Sequence, residues 1–229
     1  MKIVHLSHSG FIVEDQGDLL IFDPITPLDL DPKGRNIYVF ISHSHKDHFK
    51  WEVLEPLLEG DQVHFIVSGD VADAMPNDGI INLHRVDHYQ KLRINDVRIE
   101  VYGTTDLGNS YLVSLHGKNY FHSGDLNWWH WKRMTPEELQ VEEEIYKKEV
   151  AYLKGKPIHF AFVPVDPRLE EHGYLAANHF IQEVQPEYLI PMHSFGRYEY
   201  YKDLEDHLSL QDTKLIPVGH EGQGILRIN

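Results

Sequence analysis

The chain has 229 residues, and its 36 Asp and Glu against 21 Lys and Arg give a formal net charge of −15 with histidine neutral. This balance argues against a nucleic acid or an anionic membrane as partner, because both require lysine and arginine on the contact face. No apolar run approaches the ~18 residues of a membrane-spanning helix, and the start of the chain is too polar for a signal peptide. Cysteine is absent, which excludes disulfides and thiolate chemistry. We expect a cytoplasmic protein that folds as one domain over residues 1–229.

The N-terminal half is predicted to form short strands and one helix. Pro24, Pro27 and Pro32 mark a loop, since proline lacks the N–H that a strand ladder needs. The β-branched and aromatic run 36–41 is typical of a buried strand. A helix is expected over 49–58, closed by Gly60. The other predicted strands are 2–6, 10–14, 19–22, 63–67, 92–94, 97–102, 111–115 and 119–121.

The C-terminal half is predicted to alternate strands and helices. Thr135 is a helix N-cap followed by Pro136, and Glu138 stands three residues after the cap, which is a capping box. Gly155 and Pro157 end that helix. Because the early strands pair by hairpins and the later ones alternate with helices, the sequence predicts an α/β layered fold. The further predicted strands are 158–163, 188–190, 214–218 and 224–228, and the further helices are 176–184 and 201–208.

Histidine is abundant, and its densest cluster runs from His43 to His48 directly after a predicted buried strand. His43 and His45 are two residues apart, so at a strand end both imidazoles can face one cation. Asp47 and His48 are expected to open the next helix, facing a second cation. The alternative is a solvated histidine-rich loop. The apolar strand before the cluster argues against it, because that strand fixes the loop at the edge of a core, where clustered imidazoles are costly without a metal.

Other acidic residues and histidines also follow predicted apolar strands. Asp23, Asp125 and His193 each stand just beyond the end of one. Loops at strand ends gather along one edge of a sheet, where α/β folds place their sites. The sequence therefore predicts that these residues meet the histidine cluster.

The order Asp, His-x-His-x-Asp-His, Gly-Asp and Pro-x-His, from Asp23 to His193, resembles the metallo-β-lactamase fold superfamily of metal-dependent hydrolases. The opening segment 5–10 and the strand end at 21–24 are most similar to the branch that contains the L-ascorbate-6-phosphate lactonases. The resemblance implies an α/β fold that is a four-layer αββα sandwich. It also implies one or two divalent metal ions, with zinc as the expected ion and manganese or iron as alternatives.

The resemblance further implies a role for each residue of the cluster. Asp23 matches a residue that orients the histidine loop rather than binding metal, and His8 is placed near the site by the resemblance alone. His122 is expected to be a buried, hydrogen-bonded imidazole rather than a ligand. The implied metal ligands are His43 and His45 for the first ion, Asp47, His48 and His193 for the second, and Asp125 as a bridge between the two.

The chain departs from the superfamily where a third histidine of the first ion is usual. The corresponding loop 103–108 has no histidine, and Asp106 is its strongest candidate ligand. Either Asp106 substitutes, or water does, or the first site is weak or empty; Asp106 as a plain turn residue is the alternative. A carboxylate in place of an imidazole would favour harder ions such as manganese or iron. His84 and His88 lie upstream and are poor candidates.

The expected chemistry is hydrolysis by a metal-bound hydroxide, since a divalent cation lowers the pKa of water from ~15.7 to ~7. We expect a small anionic substrate of the ester or lactone type, with Asp47 or Asp125 moving the proton. A phosphodiesterase or nuclease of the same fold is one alternative, which the negative charge disfavours. A metal-binding module without catalysis is another, motivated by the absent third histidine.

Two further segments are candidates for shaping the pocket. The predicted bridging aspartate is followed directly by Trp128, Trp129 and Trp131. These side chains are expected either to pack against the core at a helix start or to form an aromatic wall over the site. Asp166 and Arg168 follow another predicted strand; Arg168 suits a phosphate or carboxylate of the substrate, or the two form a structural ion pair.

Overall fold

A computed structural model describes residues 1–76 and 80–228, which form two seven-stranded sheets. The first sheet has the strand order β14-β1-β2-β3-β4-β5-β6, and the run from β3 to β6 is parallel. Its strands are β1 (Lys2–His5), β2 (Phe11–Asp15), β3 (Asp18–Phe22), β4 (Ile37–Ile41), β5 (Val63–Val67), β6 (Leu83–Arg85) and β14 (Gly224–Arg227).

The second sheet has the order β13-β12-β11-β10-β9-β8-β7, and the run from β10 to β13 is parallel. Its hairpins join β7 to β8 and β9 to β10. Its strands are β7 (Lys91–Ile94), β8 (Val97–Tyr102), β9 (Ser110–Leu115), β10 (Lys118–His122), β11 (Phe160–Pro164), β12 (Tyr188–Met192) and β13 (Lys214–Leu215).

The two sheets pack face to face through aromatic side chains. Between ring centroids, Phe11 of the first sheet lies 4.4 Å from Phe162 of the second, and Phe40 lies 5.4 Å from Tyr111. β4 is buried on both faces: Tyr38 and Phe40 join this core, whereas its alternate residues face a helical layer. That double burial explains its unbroken apolar sequence.

Helices cover the outer faces of both sheets. Helices α1 (Trp51–Leu54) and α2 (Gly69–Ala74) pack on the first sheet, where Leu54 and Val71 join a second core. Helices α3 (Pro136–Ala151) and α4 (Leu175–Val184) pack on the second, where the Phe180 ring stacks on that of Phe121. The αββα sandwich is therefore confirmed. In the described part of the chain, no helix has the length and apolarity needed to cross a membrane.

Several element predictions need correction. The helix expected over 49–58 is only α1 followed by a 3₁₀ turn at Glu55–Glu59, because Pro56 interrupts the hydrogen-bond pattern. The helix expected over 201–208 is a 3₁₀ turn at Tyr198–Tyr201 and a short α5 (Leu204–His207). The strand expected over 214–218 ends at Leu215, two residues before Pro217. Helix α2 and strand β6 were not predicted.

Candidate metal centre

The candidate centre lies where carboxyl ends of parallel strands from both sheets meet. From the first sheet come Asp23 after β3 and the histidine cluster after β4, and from the second come Asp125 after β10 and His193 after β12. Because both parallel runs end at the same edge, residues far apart in sequence converge there. His8, in the turn between β1 and β2, joins them.

The described residues contain two groups whose ligand atoms lie within 4.8 Å of one another. The inner group is His8, Asp47, His48 and His193, and the outer group is His43, His45 and Asp125. One carboxylate oxygen of Asp125 lies 3.1 Å from Nε2 of both His48 and His193, and the other lies 3.6 Å from Nε2 of His43. Asp125 therefore faces both groups, as a bridge would.

The chemistry of these atoms fits a divalent cation. In the described residues, Nε2 of the four histidines His8, His43, His48 and His193 is buried without a hydrogen-bond partner, and so is Oδ1 of Asp125. Leaving that many buried polar atoms unsatisfied is costly, and a cation bound in each group would satisfy the atoms of that group. Imidazole and carboxylate together are ligands that zinc and other divalent first-row transition metals bind in proteins.

Buried carboxylates orient two of the inner imidazoles. Nδ1 of His48 lies 2.7 Å from Oδ2 of Asp23, and this oxygen also accepts a hydrogen bond from the Ser42 hydroxyl. The other oxygen, Oδ1, accepts the main-chain N–H of Ser42. Nδ1 of His193 lies 3.0 Å from Oδ2 of Asp166. With the Nδ1 proton donated to a carboxylate, each ring presents Nε2 to the cluster. Asp23 thus lies in the orienting position that the resemblance implied.

Charge also concentrates at this centre. Burial alone would raise the pKa of Asp125, but the imidazoles of His48 and His193 hold that pKa well below its usual range. Burial lowers the pKa of His48, yet the carboxylates of Asp125 and Asp23 overcome it and raise that pKa to about 10. The carboxylates and imidazoles of the centre therefore stabilise one another's charges.

Backbone strain is concentrated in the same loops. His8, Asp23 and His193 adopt φ values of 49°, 39° and 73°, in the left-handed region that residues with a side chain rarely occupy. The main-chain N–H of His193 donates to the carbonyl of His8 at 3.2 Å, which ties together loops from the two sheets. Strain of this kind persists where the surroundings fix it, commonly at functional sites.

The structure places one predicted site segment differently from expectation, and it separates Asp106 from both groups of ligand atoms. Asp47 and His48 do not open a helix; they lie in a turn closed by hydrogen bonds to the carbonyl of His45, and α1 begins only at Trp51. Asp106 is exposed and belongs to neither group, although it lines the adjacent cavity.

Close packing of Gly108 explains where the loop 103–108 goes. Gly108 has φ 76°, and a Cβ there would lie 1.9 Å from the carbonyl oxygen of Ser42 and 2.6 Å from Cβ of His43. The loop thus packs by its backbone against the histidine motif and leaves the side chain of Asp106 outside. His84 pairs with His64 at 3.2 Å, and His88 bonds the carbonyl of Gly108 at 2.7 Å, so neither joins the cluster.

His8 is the site residue that residue patterns alone did not find. Its position depends on the turn between β1 and β2, whose signal in the sequence is the Ser-His-Ser-Gly segment between two predicted strands. His122 is buried and hydrogen-bonded, with Nε2 2.8 Å from the carbonyl of Ser9, and belongs to neither group.

A cavity of about 370 Å³ opens beside the centre. Trp129 and Trp131 stack with ring centroids 5.8 Å apart on one wall, whereas Trp128 packs against Tyr146 outside it. The segment therefore forms an aromatic wall and also packs against the core, but it does not start a helix, because residues 126–131 are not helical and α3 begins at Pro136. The remaining cavity residues are His45, Asp47, Thr105, Asp106, Asp125, Met134, Glu142, Arg168 and His193.

Arg168 and Asp166 form an ion pair at the cavity wall. Nη2 of Arg168 donates to Oδ2 of Asp166 at 2.6 Å, and the guanidinium lies 3.8 Å from the ring centroid of Phe195. Burial would raise the pKa of Asp166, but His193 and Arg168 hold it below its usual range. Asp166 thus links the cavity wall to a ligand-type histidine.

The fold consists of two sheets between helical layers, and a His/Asp metal-binding group lies at the edge that the sheets share. These features define a metal-dependent hydrolase of the metallo-β-lactamase superfamily. Residues 2–193 match the family model described as "Beta-lactamase superfamily domain", and the chain belongs to that family. The resemblance to the superfamily is confirmed, while the closer likeness to the lactonase branch stays a prediction.

Known proteins agree with this assignment. The chain is 25% identical over 211 residues to a UPF0173 protein of Pyrococcus furiosus, covering 90% of this chain and 91% of that one. It is 25% identical over 220 residues to a UPF0173 metal-dependent hydrolase of Nanoarchaeum equitans, covering 84% and 83%. Its fold is similar to that of Igni18, a metallo hydrolase of Ignicoccus hospitalis, with a TM-score of 0.67 and 16% identity over 100% of this chain and 99% of that one.

Proposed function

We propose that this metal-dependent hydrolase acts on a small anionic ester or lactone, with one or two divalent ions, zinc first, at the His/Asp centre. The observation that carries the proposal is the set of buried, unpartnered ligand atoms beside a cavity of about 370 Å³. When bound, the metal supplies a lowered pKa for water and polarises the substrate oxygen. A cavity of that size suits a small molecule.

Two aspartates of the centre have different tasks in this proposal. Asp125 is 5% exposed and both its oxygens face imidazoles, which supports a role as the bridging ligand. The Asp47 side chain is 41% exposed and lines the cavity, where it can exchange protons with a substrate or with solvent. We therefore assign proton transfer to Asp47, with Asp125 holding the centre together.

The cavity walls support an anionic substrate of limited size. The Arg168 side chain is 38% exposed, and its bonds to Asp166 use Nε and Nη2, which leaves Nη1 for a carboxylate or phosphate. Trp129 and Trp131 offer flat apolar surface beside it. Asp106 and Glu142 also line the cavity and would repel a polyanion, which weighs against a nuclease.

The test is turnover of ester, lactone and phosphodiester chromogens by metal-loaded protein. We expect the anionic lactones and esters to react and a chelator to abolish turnover. Arg168→Ala should raise KM for an anionic substrate by about 10- to 100-fold, the value of a charge-assisted hydrogen bond. The same variant should leave KM for a neutral analogue nearly unchanged.

Arg35→Ala is the matched control, since Arg35 pairs with Glu14 outside the cavity. Faster cleavage of the phosphodiester would favour the nuclease alternative. An absence of turnover at full metal occupancy would favour a metal-binding module without catalysis.

A further inference from the structure

We propose that the two groups of the centre bind metal unequally, so that the inner group holds a resident ion and the outer group holds an exchangeable one. The inference rests on the proposed metal-dependent function, but it concerns occupancy rather than substrate. It follows from the number, burial and support of the ligand atoms on each side.

The inner group has more donors. Three imidazoles and the Asp47 carboxylate form it, and an oxygen of Asp125 lies 3.1 Å from two of those imidazoles. The outer group has the imidazoles of His43 and His45 and shares Asp125. An ion bound outside therefore has about two fewer protein ligands than one bound inside.

The groups differ in which member reaches solvent. All three inner imidazoles are buried, with His8, His48 and His193 6%, 0% and 1% exposed, and only the Asp47 carboxylate of that group is partly exposed. In the outer group His43 is 0% exposed, but His45, one of its two imidazoles, is an exposed residue. A ligand fixed inside the protein loses little freedom when metal binds, and water competes for it less. An ion held partly by His45 remains open to solvent and to chelators.

The groups differ most in what holds the imidazoles. His48 and His193 each bond a buried carboxylate through Nδ1, at 2.7 and 3.0 Å. Nδ1 of His43 instead lies 2.9 Å from the Ser42 hydroxyl. In the described part of the chain, the His45 ring has an edge contact with His43 and no hydrogen bond. Each carboxylate partner contributes about 10- to 100-fold to metal affinity, and both serve the inner group.

The backbone prevents the loop 103–108 from completing the outer group. Gly108 lies directly against Ser42 and His43, so this loop meets the histidine motif with backbone rather than with a ligand side chain. Asp106 stays exposed at the cavity. The outer group therefore gains no ligand from this loop and keeps its two imidazoles and the shared Asp125.

Titration of metal-free protein with cobalt(II) tests the inequality without measuring turnover. Equilibrium dialysis counts the bound ions, and visible absorption reports the coordination of each. We expect the first equivalent to bind at least about 100-fold more tightly than the second, from the carboxylate partners that support only one group. Dialysis against a moderate chelator should leave one equivalent bound.

Matched histidine variants locate each ion. His45→Ala should keep the first tight equivalent and lose the second, whereas His8→Ala should weaken the first by about 10-fold or more, as expected for a lost ligand or ligand partner. His116→Ala, which removes a His–Asp18 contact outside the centre, should change neither. Far-UV circular dichroism checks that each variant folds.

The wild-type titration alone decides the matter if a variant does not fold. Two equivalents of equal affinity would overturn the inequality and leave the metal-dependent function intact. The same holds if His45→Ala weakens the first equivalent more than His8→Ala does. A protein that binds no cobalt, zinc or manganese would overturn both.

Discussion

Replacing Asp23 by asparagine should disable a metal ligand without removing it. Asp23 is fully buried and accepts the Ser42 main-chain N–H at Oδ1, and the Ser42 hydroxyl and His48 Nδ1 at Oδ2. A main-chain N–H can only donate, so the asparagine oxygen must stay opposite it. The amide NH₂ then faces Nδ1 of His48, which must become an acceptor and move its proton to Nε2.

That proton shift occurs at the nitrogen that faces the cluster, 3.1 Å from Asp125. Loss of such a carboxylate partner lowers metal affinity by about 10- to 100-fold, or about 1.4–2.7 kcal/mol. The metal-free protein also loses a charge-assisted hydrogen bond, which costs about 1.5–3 kcal/mol of unfolding free energy. We expect both losses in Asp23→Asn.

Competition with a chromogenic zinc chelator measures the affinity, and urea unfolding of the metal-free protein measures the stability. Asp18→Asn is the control, because Asp18 makes a similar contact of 2.8 Å with His116 outside the centre. It should leave zinc affinity unchanged. A folded Asp23→Asn protein with wild-type zinc affinity would refute the reasoning about the proton on His48.

Three other predictions follow from the same structure. Gly108→Ala should cost more than about 3 kcal/mol of unfolding free energy, because strain and a clash with Ser42 add. Gly117→Ala, with a similar φ of 78° and no atom within 4 Å, should cost only the left-handed penalty of about 1–2 kcal/mol; equal losses in urea would contradict the packing argument. Burial lowers the pKa of His5 from 6.5 to about 4, so stability is full above pH 6.5 and is lost as the pH falls toward 4. As the pH falls from 7.5 to 5, the free energy of unfolding of His5→Phe should therefore fall by about 2 kcal/mol less than that of the wild type. If the two proteins lose stability in parallel over this range, His5 is not responsible for the loss. When the free metal concentration is ~100 times the Kd, removing the metal with a chelator should lower the unfolding free energy by about 2.7 kcal/mol. A melting temperature that does not change on adding the chelator would contradict metal binding to the native state.

The features that sequence predicted well are local ones. Strand β4 is recognisable because both of its faces are apolar, and the helix start at Thr135 because its capping box lies within four residues, where the Thr135 hydroxyl accepts the Glu138 N–H at 3.2 Å. The histidine motif from His43 to His48 likewise lies in one short segment. Each pattern carries its own physical signal.

Features that depend on distant contacts were not predictable in this way. His8 reaches the centre through a left-handed φ and a hydrogen bond from His193, a residue of the other sheet. Asp106 is kept out by contact between Gly108 and Ser42. The Asp166–Arg168 pair was anticipated as an alternative, but its hydrogen bond to His193 requires the alignment of β11 with β12.

The position of the centre explains why the fold tolerates so many strained and unsatisfied groups there. His8 and His48 belong to loops of the first sheet, and Asp125 and His193 to loops of the second. An ion bonded to all four would join the two sheets at an edge where their contact is made by polar side chains rather than by the aromatic core. Metal binding would then contribute directly to folding, because the unfolded chain offers no such site. It would also offset the cost of the left-handed φ values at His8 and His193.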